Sequence, residues 1–346
     1  MNKISSGQLF FLMFMVYNNA YGVILPYNLA QTQVLGVIGV LLLCAFVGEL
    51  VIFLALRLGK DGRFFALKSQ NASLWQKCQG VILSFFYLAI VIIAIDSFCG
   101  MLETEFLRDT PKGVLLVMAL VPLCYLALHD LINIAWLSVM IIPLSLVAYV
   151  IAGIGNMDNF CLMNILPLQI QYDNFFRCFL FALPIYAQSF ILAQMYPYLR
   201  RPENAFKISS LALWGHIGLL LAQQLLAYGV FGAIESERLL FIPFELMGIL
   251  TFGQSTLRIE ALAIWHWLAM GVLGGALFFN GIKAIWLGEE KMKGYLPLVL
   301  GAVIWIVLVI FDDLYAFNFL ARVFGRITAG VIIILIFWRR SKVHEK

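Results

Sequence analysis

From Gly7 to Ala30 the chain reads GQLFFLMFMVYNNAYGVILPYNLA, and this stretch, opened by Ser6, decides the fold. Its length of about 24 residues makes roughly 36 Å of helix, enough to cross a bilayer once. Its centre does not suit a plain anchor. Asn18 and Asn19 set two amides at mid-depth, and Gly22 and Pro26 follow shortly after. Proline removes a backbone donor and glycine weakens the helix around it. In lipid, freed backbone groups must find partners in protein or in a water-lined cavity. A span interrupted at its midpoint therefore points to a binding site.

Downstream, Phe175 to Met195 reads FFRCFLFALPIYAQSFILAQM. Pro184 lies mid-span, and Tyr186, Gln188 and Ser189 gather polar groups just beyond it. Two interrupted spans at matching places in two halves are the sequence mark of a secondary-transporter site. The plainer reading makes Pro184 a kink and the amides glue between helices.

Composition fixes the setting. Of 346 residues, 63% are hydrophobic and 12% charged, and mean hydropathy is +0.94. A water-soluble fold of this size could not hide so much apolar surface, so the chain belongs in a membrane. The six cysteines are scattered, with no CxxC and no metal spacing, so neither a disulfide framework nor a metal site is expected. Cys161 falls in a predicted outer loop. The first thirty residues lack a basic n-region and an A-x-A site, so they read as a retained span.

Further spans are predicted at Leu35–Leu56, Gly80–Met101, Gly113–Leu128, Ile132–Ile154, Ile208–Gly232, Arg258–Trp286 and Tyr295–Phe311, with a last one ending at WRRSKVHEK. Residues 233–257 carry Glu235, Glu237 and Glu245 and read as a helical loop on the outer surface. Most of the 23 Lys and Arg, Lys283 counted among the loop charges, fall on one set of connections. That bias places both termini in the cytoplasm and makes the span number even, namely ten. The expected fold is a single all-α polytopic membrane domain over 1–346, with one repeat at about 6–154 and a second at about 175–338. Breaks in the first and sixth of ten spans are what the 5+5 inverted repeat of the amino acid–polyamine–organocation (LeuT-like) architecture shows. This is an analogy of fold, and fold alone does not give function.

Several phrases, in order along the chain, resemble the B subunits of bacterial spore germinant receptors. They are ISSGQL and YGVILP in the first span, LRDTPKGVLLVMALVPLCYLALHDLINIAWLSVMIIP across the fourth and fifth, NILPLQIQ before the sixth, ILAQMYPYLRRPENAFK after it, and LRIEALAIWHW at the eighth. The chain departs from the pattern at Asn18-Asn19 and in HDLINIAW, which lacks the usual glycine and arginine. The resemblance implies a subunit of the dormant spore's inner membrane that senses a small germinant, such as an amino acid, together with A and C partner subunits. Binding would trigger germination rather than accumulate the nutrient.

In the related transporters, open amides and half-helix ends hold the substrate. By that resemblance, Asn18, Asn19, Ala20, Tyr21 and Gly22 form one side of the site, and Pro184, Tyr186, Gln188 and Ser189 the other. Glu49, within the second span, is a coupling group or a structural acid bonded to a break. Arg258 and Glu260 begin the eighth span on adjacent faces and pair with other residues at the outer vestibule, or Glu260 serves as a coupling or gating group. Asp96 is expected to reach the interface and be solvated. His216 and His266 read as buried, satisfied imidazoles, with pH sensing as the alternative. Arg322 and Arg326 share one helical face.

The sequence shows no nucleophile–base arrangement, phosphate loop, cofactor motif or nucleic-acid surface, so the chain does not read as an enzyme. Two other readings stay open. One is a proton- or sodium-coupled amino acid permease; the other is a scaffold that binds no ligand and only assembles its partners.

Overall fold

The computed structural model describes residues 3–19, 25–60, 74–166, 168–250, 260–287 and 294–310, with 323–324 and 327–328. Ala20, Tyr21, Gly22, Arg258, Arg322, Arg326, most of the predicted tenth span and the side chain of Glu260 lie outside the described residues.

The first helix, α1 (Ser6–Tyr17), begins at a reciprocal cap. Gln8 N donates to Ser5 Oγ at 3.3 Å, and Ser5 N donates to Gln8 Oε1 at 2.9 Å. Two otherwise unpaired donors are thus satisfied at the helix start. Just before it, Ile4 pairs with the chain beyond the second interrupted span. Ile4 N donates to Tyr198 O at 2.8 Å, and Arg200 N donates to Ile4 O at 2.9 Å. The phrases ISSGQL and YPYLRR, far apart in sequence, therefore meet as one crossing.

Beyond α1 come α2 (Leu25–Ala30), α3 (Gln33–Lys60), α4 (Leu74–Glu105), α5 (Lys112–Leu128) and α6 (Leu131–Gly155). They are followed by α7 (Tyr172–Ala187), α8 (Ile191–Met195), α9 (Ala205–Phe231), α10 (Ala233–Ser236), α11 (Ile242–Gly248), α12 (Glu260–Leu287) and α13 (Leu296–Ile310). Among the described residues six helical segments are long and apolar enough to cross a membrane, and α1, α5 and α13 are shorter apolar helices. The long helices are apolar on every face. Phe46, Trp136 and Val150 stand more than half exposed on the outside of the bundle. An all-round apolar helix in a bundle with such a surface needs lipid, not water, around it. This is an integral membrane protein.

Packing puts α1 in the middle. It lies between α6 and α9 and reaches α12; α12 in turn packs on α4, α5 and α6, while α3 packs on α7 and α9. The chain ends α9 at Gly232, whose φ of 85° suits a residue without Cβ, and the Gly232 N–H closes on Tyr228 O. At that end of the bundle, Leu35 N donates to Gln169 O and Gln171 N to Thr32 O, which ties the turn before α3 to the stretch before α7. The segment read as a surface loop forms two short helices, α10 and α11, and Asn156 Nδ2 anchors α11 by donating to Leu246 O at 2.8 Å.

The structure corrects several expectations. The second interrupted span does not come apart. From Tyr172 to Tyr198 the helical run continues, tightening into 3₁₀ turns at Gln188–Phe190 and Tyr196–Tyr198. A local 3₁₀ adjustment after Pro184 keeps the run helical without unwinding it. The third span is longer than read, Leu74–Glu105, because its polar ends stay helical. Lys283 is no loop charge. It is fully buried on α12 and donates to Ala127 O at 2.8 Å, a carbonyl near the end of α5. Asp96 is not solvated; it pairs with Lys112 at 3.0 Å, the two side chains 7% and 10% exposed. A lysine at the start of α5 has the reach to find an acid on α4, which a count of loop charges overlooks.

Glu245 of α11 lies outside the spans. Burial, and then the neighbouring Glu105 charge, push its carboxyl above the ordinary carboxylate range. A raised acid is best tolerated protonated, so its contribution favours the fold at low pH and is lost as pH rises through the raised value. The change Glu245→Gln should raise the thermal midpoint near neutral pH, and the gain should vanish below the usual carboxylate range. A gain that stays constant with pH would mean that Glu245 does not titrate in this way.

Candidate functional site

The end of α1 meets the turn between α7 and α8 through direct side-chain bonds. The Ser189 hydroxyl donates to Tyr186 O at 2.8 Å, so Tyr17 OH is the donor in its 2.7 Å contact with Ser189 Oγ. Asn19 Nδ2 donates to Gln188 Oε1 at 2.5 Å. Asn18 behaves differently: its amide turns back and donates to Phe14 O at 2.9 Å, capping its own helix. Of the residues expected on the first span, Asn19 thus faces the partner span and Asn18 closes α1.

Three rings complete the junction. Tyr17 and Tyr186 have centroids 6.1 Å apart, and His216 of α9 sits 5.8 Å from Tyr17 and 5.9 Å from Tyr186. All three are buried, as are Asn19, Gln188 and Ser189. Asn19 is wedged against α12 at Gly274, where an added Cβ would lie 3.3 Å from the Asn19 Cβ. A side chain there would press on Asn19 by a few tenths of an ångström, so glycine keeps α12 close to the end of α1.

Several polar groups at this junction lack a hydrogen-bond partner among the described residues. They are the Tyr186 hydroxyl, Gln188 Nε2 and both ring nitrogens of His216. An unpaired polar group in a buried site costs about 1–3 kcal/mol. Four such atoms on residues of one junction are groups that a polar guest, or water, would satisfy. The polar side chains gathered here are neutral amides, hydroxyls and an imidazole. They can hold a small polar or zwitterionic molecule, and Glu49, within electrostatic range of Tyr17, is tied to α9 by its own hydrogen bonds. Pro184 sits within α7 and leaves the carbonyl one turn back, that of Leu180, without its helical donor.

Among the described residues Glu49 makes no hydrogen bond to this cluster, though it lies close enough for its charge to act on Tyr17. Its Oε1 accepts from the Ser210 hydroxyl and from Trp214 Nε1 at 3.0 Å, so it joins α3 to α9. Tyr17 and His216 were not assigned to the site from the sequence. The available signal was a lone ionisable residue inside an apolar span, which is a functional candidate by default. Its weight appears only when Tyr17 and Tyr186 are seen on either side of it.

A family model described as spore germination protein matches residues 3–316. The chain belongs to the spore germination protein family. The family is one of non-enzymatic membrane proteins with a permease-like, germination-related role, and the match runs from the crossing at Ile4 through α13. No curated protein matches the sequence significantly.

Proposed function

We propose that this protein is the nutrient-sensing subunit of a spore germinant receptor. It binds a small uncharged or zwitterionic germinant, an amino acid or a compound of similar size, where the end of α1 meets the α7–α8 turn. The observation that carries this reading is the presence of unpaired groups on Tyr186, Gln188 and His216 beside the bonded pairs Tyr17–Ser189 and Asn19–Gln188. The negative end of the α1 dipole is directed to the same place and favours an ammonium group.

In this account the chain completes a ten-span 5+5 repeat with both termini cytoplasmic, lies in the spore inner membrane, and works with A and C subunits. Ligand binding shifts the population between two arrangements of the bundle, by no more than its difference in affinity for them. Ala20, Tyr21 and Gly22 supply backbone groups, and Glu260 acts at the far end of α12. The direct experiment is germination of spores lacking the gene across amino acids, nucleosides and sugars. Loss of response to one nutrient, with nutrient-independent germination intact, is the expected result. An unchanged response to every nutrient would sink the reading.

One observation favours the permease as a second reading. Toward the Ile4 end, a cavity of about 20 Å³ between α8 and α12 is lined by Gln194 and Asn280. Both Gln194 amide atoms and Asn280 Oδ1 lack partners among the described residues. Space for about one water beside such groups is what a hydrated path to the other side would need. Concentrative uptake in proteoliposomes separates a permease from a sensor.

A further inference from the structure

A second cavity lies away from the junction, at the α11 end of the bundle. α6 and α9 both pack on α1 but make little contact with each other, and α11 roofs the gap between them. The space measures about 200 Å³, and its walls include Tyr149 and Gly153 of α6, Ala222, Gln223 and Leu226 of α9, and Leu246 of α11. Small residues keep it open; the position a Gly153 Cβ would take has nothing within 4 Å.

One wall group is out of keeping with the rest. Gln223 is only 7% exposed, and its Nε2 has no hydrogen-bond partner among the described residues. The other polar wall group, Tyr149 OH, is engaged with His266 Nε2 at 3.1 Å. An apolar chamber of this size readily takes a compact apolar body, since dry cavities near 150 Å³ bind benzene-sized guests. The free N–H of Gln223 asks that guest for an acceptor: a hydroxyl, carbonyl, ester or amide oxygen. A charged head is disfavoured, because no charged side chain lines the chamber among the described residues.

We infer that the gap between α6 and α9 is a binding site for a small neutral amphiphile, its apolar body between the helices and its acceptor on Gln223. Such a guest touches both α6 and α9. Gln223 stands seven residues, two helical turns, beyond His216 on one face of α9. An occupant bracing α9 against α6 therefore restrains the helix that carries His216 to the central junction. The site itself stands on its own geometry and does not depend on what binds at that junction.

The test is photolabelling of the full-length protein in phosphatidylcholine vesicles with a diazirine-bearing octanol, followed by peptide mapping. Saturable adducts are expected within 149–157 and 219–226 and should be competed by unlabelled octanol. Filling the chamber from either wall, by Gly153→Leu or by Ala222→Trp, should remove them; either variant suffices if the other fails to fold. Gln223→Leu should raise the half-saturating concentration about tenfold, through the lost hydrogen bond, without lowering the thermal midpoint. Non-saturable labelling spread over the lipid-facing helices, or labelling unchanged in the folded variants, would overturn the inference and leave only contact with bulk lipid.

Discussion

Replacing Asp96 with alanine should destabilise the protein by about 3–5 kcal/mol, a large share of the total stability of a typical domain. Asp96 on α4 and Lys112 at the start of α5 meet at 3.0 Å with both side chains almost wholly buried. Removing one side chain takes a close, buried counter-charge from the other, which then relies on its remaining contacts or pulls the start of α5 toward water. The pair itself need not be strongly favourable, because two desolvation costs offset its attraction. The double change Asp96→Leu with Lys112→Met should accordingly recover most of the loss. Thermal unfolding of the detergent-solubilised protein checks both. Additive losses in the double variant would show that the two side chains act separately.

Tyr186 should give the second large effect, and its two substitutions should behave in opposite ways. The side chain is fully buried, with its ring packed near Tyr17 and His216. Tyr186→Ala removes an aromatic side chain from a close-packed place and should cost about 3–5 kcal/mol. Tyr186→Phe keeps the ring and deletes a hydroxyl that has no hydrogen-bond partner among the described residues. Removing an unspent polar atom should leave the unliganded protein at least as stable as before. A thermal midpoint lowered in Tyr186→Phe as far as in Tyr186→Ala would show that the hydroxyl is a structural bond instead.

The membrane class, the helix positions and one half of the candidate junction were legible in the sequence. Apolar runs are long and nearly continuous, so periodicity and length suffice for α3, α6, α9 and α12. That α1 stops near Asn18 was legible because Asn18, Asn19, Gly22 and Pro26 crowd the middle of the first span. The behaviour of Pro184 was not, since whether a proline unwinds a helix or tightens it depends on the neighbours that take up the freed groups. Pairings across distance were equally hidden. Lys283 resembles a loop charge until Ala127 O is placed beside it, and the bonds from Ser210 and Trp214 that hold Glu49 come from a helix far away in sequence. His216 carries no motif. It becomes a candidate site residue through its contacts with two tyrosines from other helices, which no local reading of α9 can show.

The most direct test of the central claim is the dose response of spores whose only copy of this gene carries Tyr186→Phe. The nutrient used is the one that the deletion panel identifies, and protein levels are matched to the native chain. A germinant that uses the Tyr186 hydroxyl should then need about tenfold more nutrient for half-maximal germination, while nutrient-independent germination stays unchanged. An unchanged half-maximal concentration at equal protein level would contradict the placing of the nutrient between α1 and the α7–α8 turn.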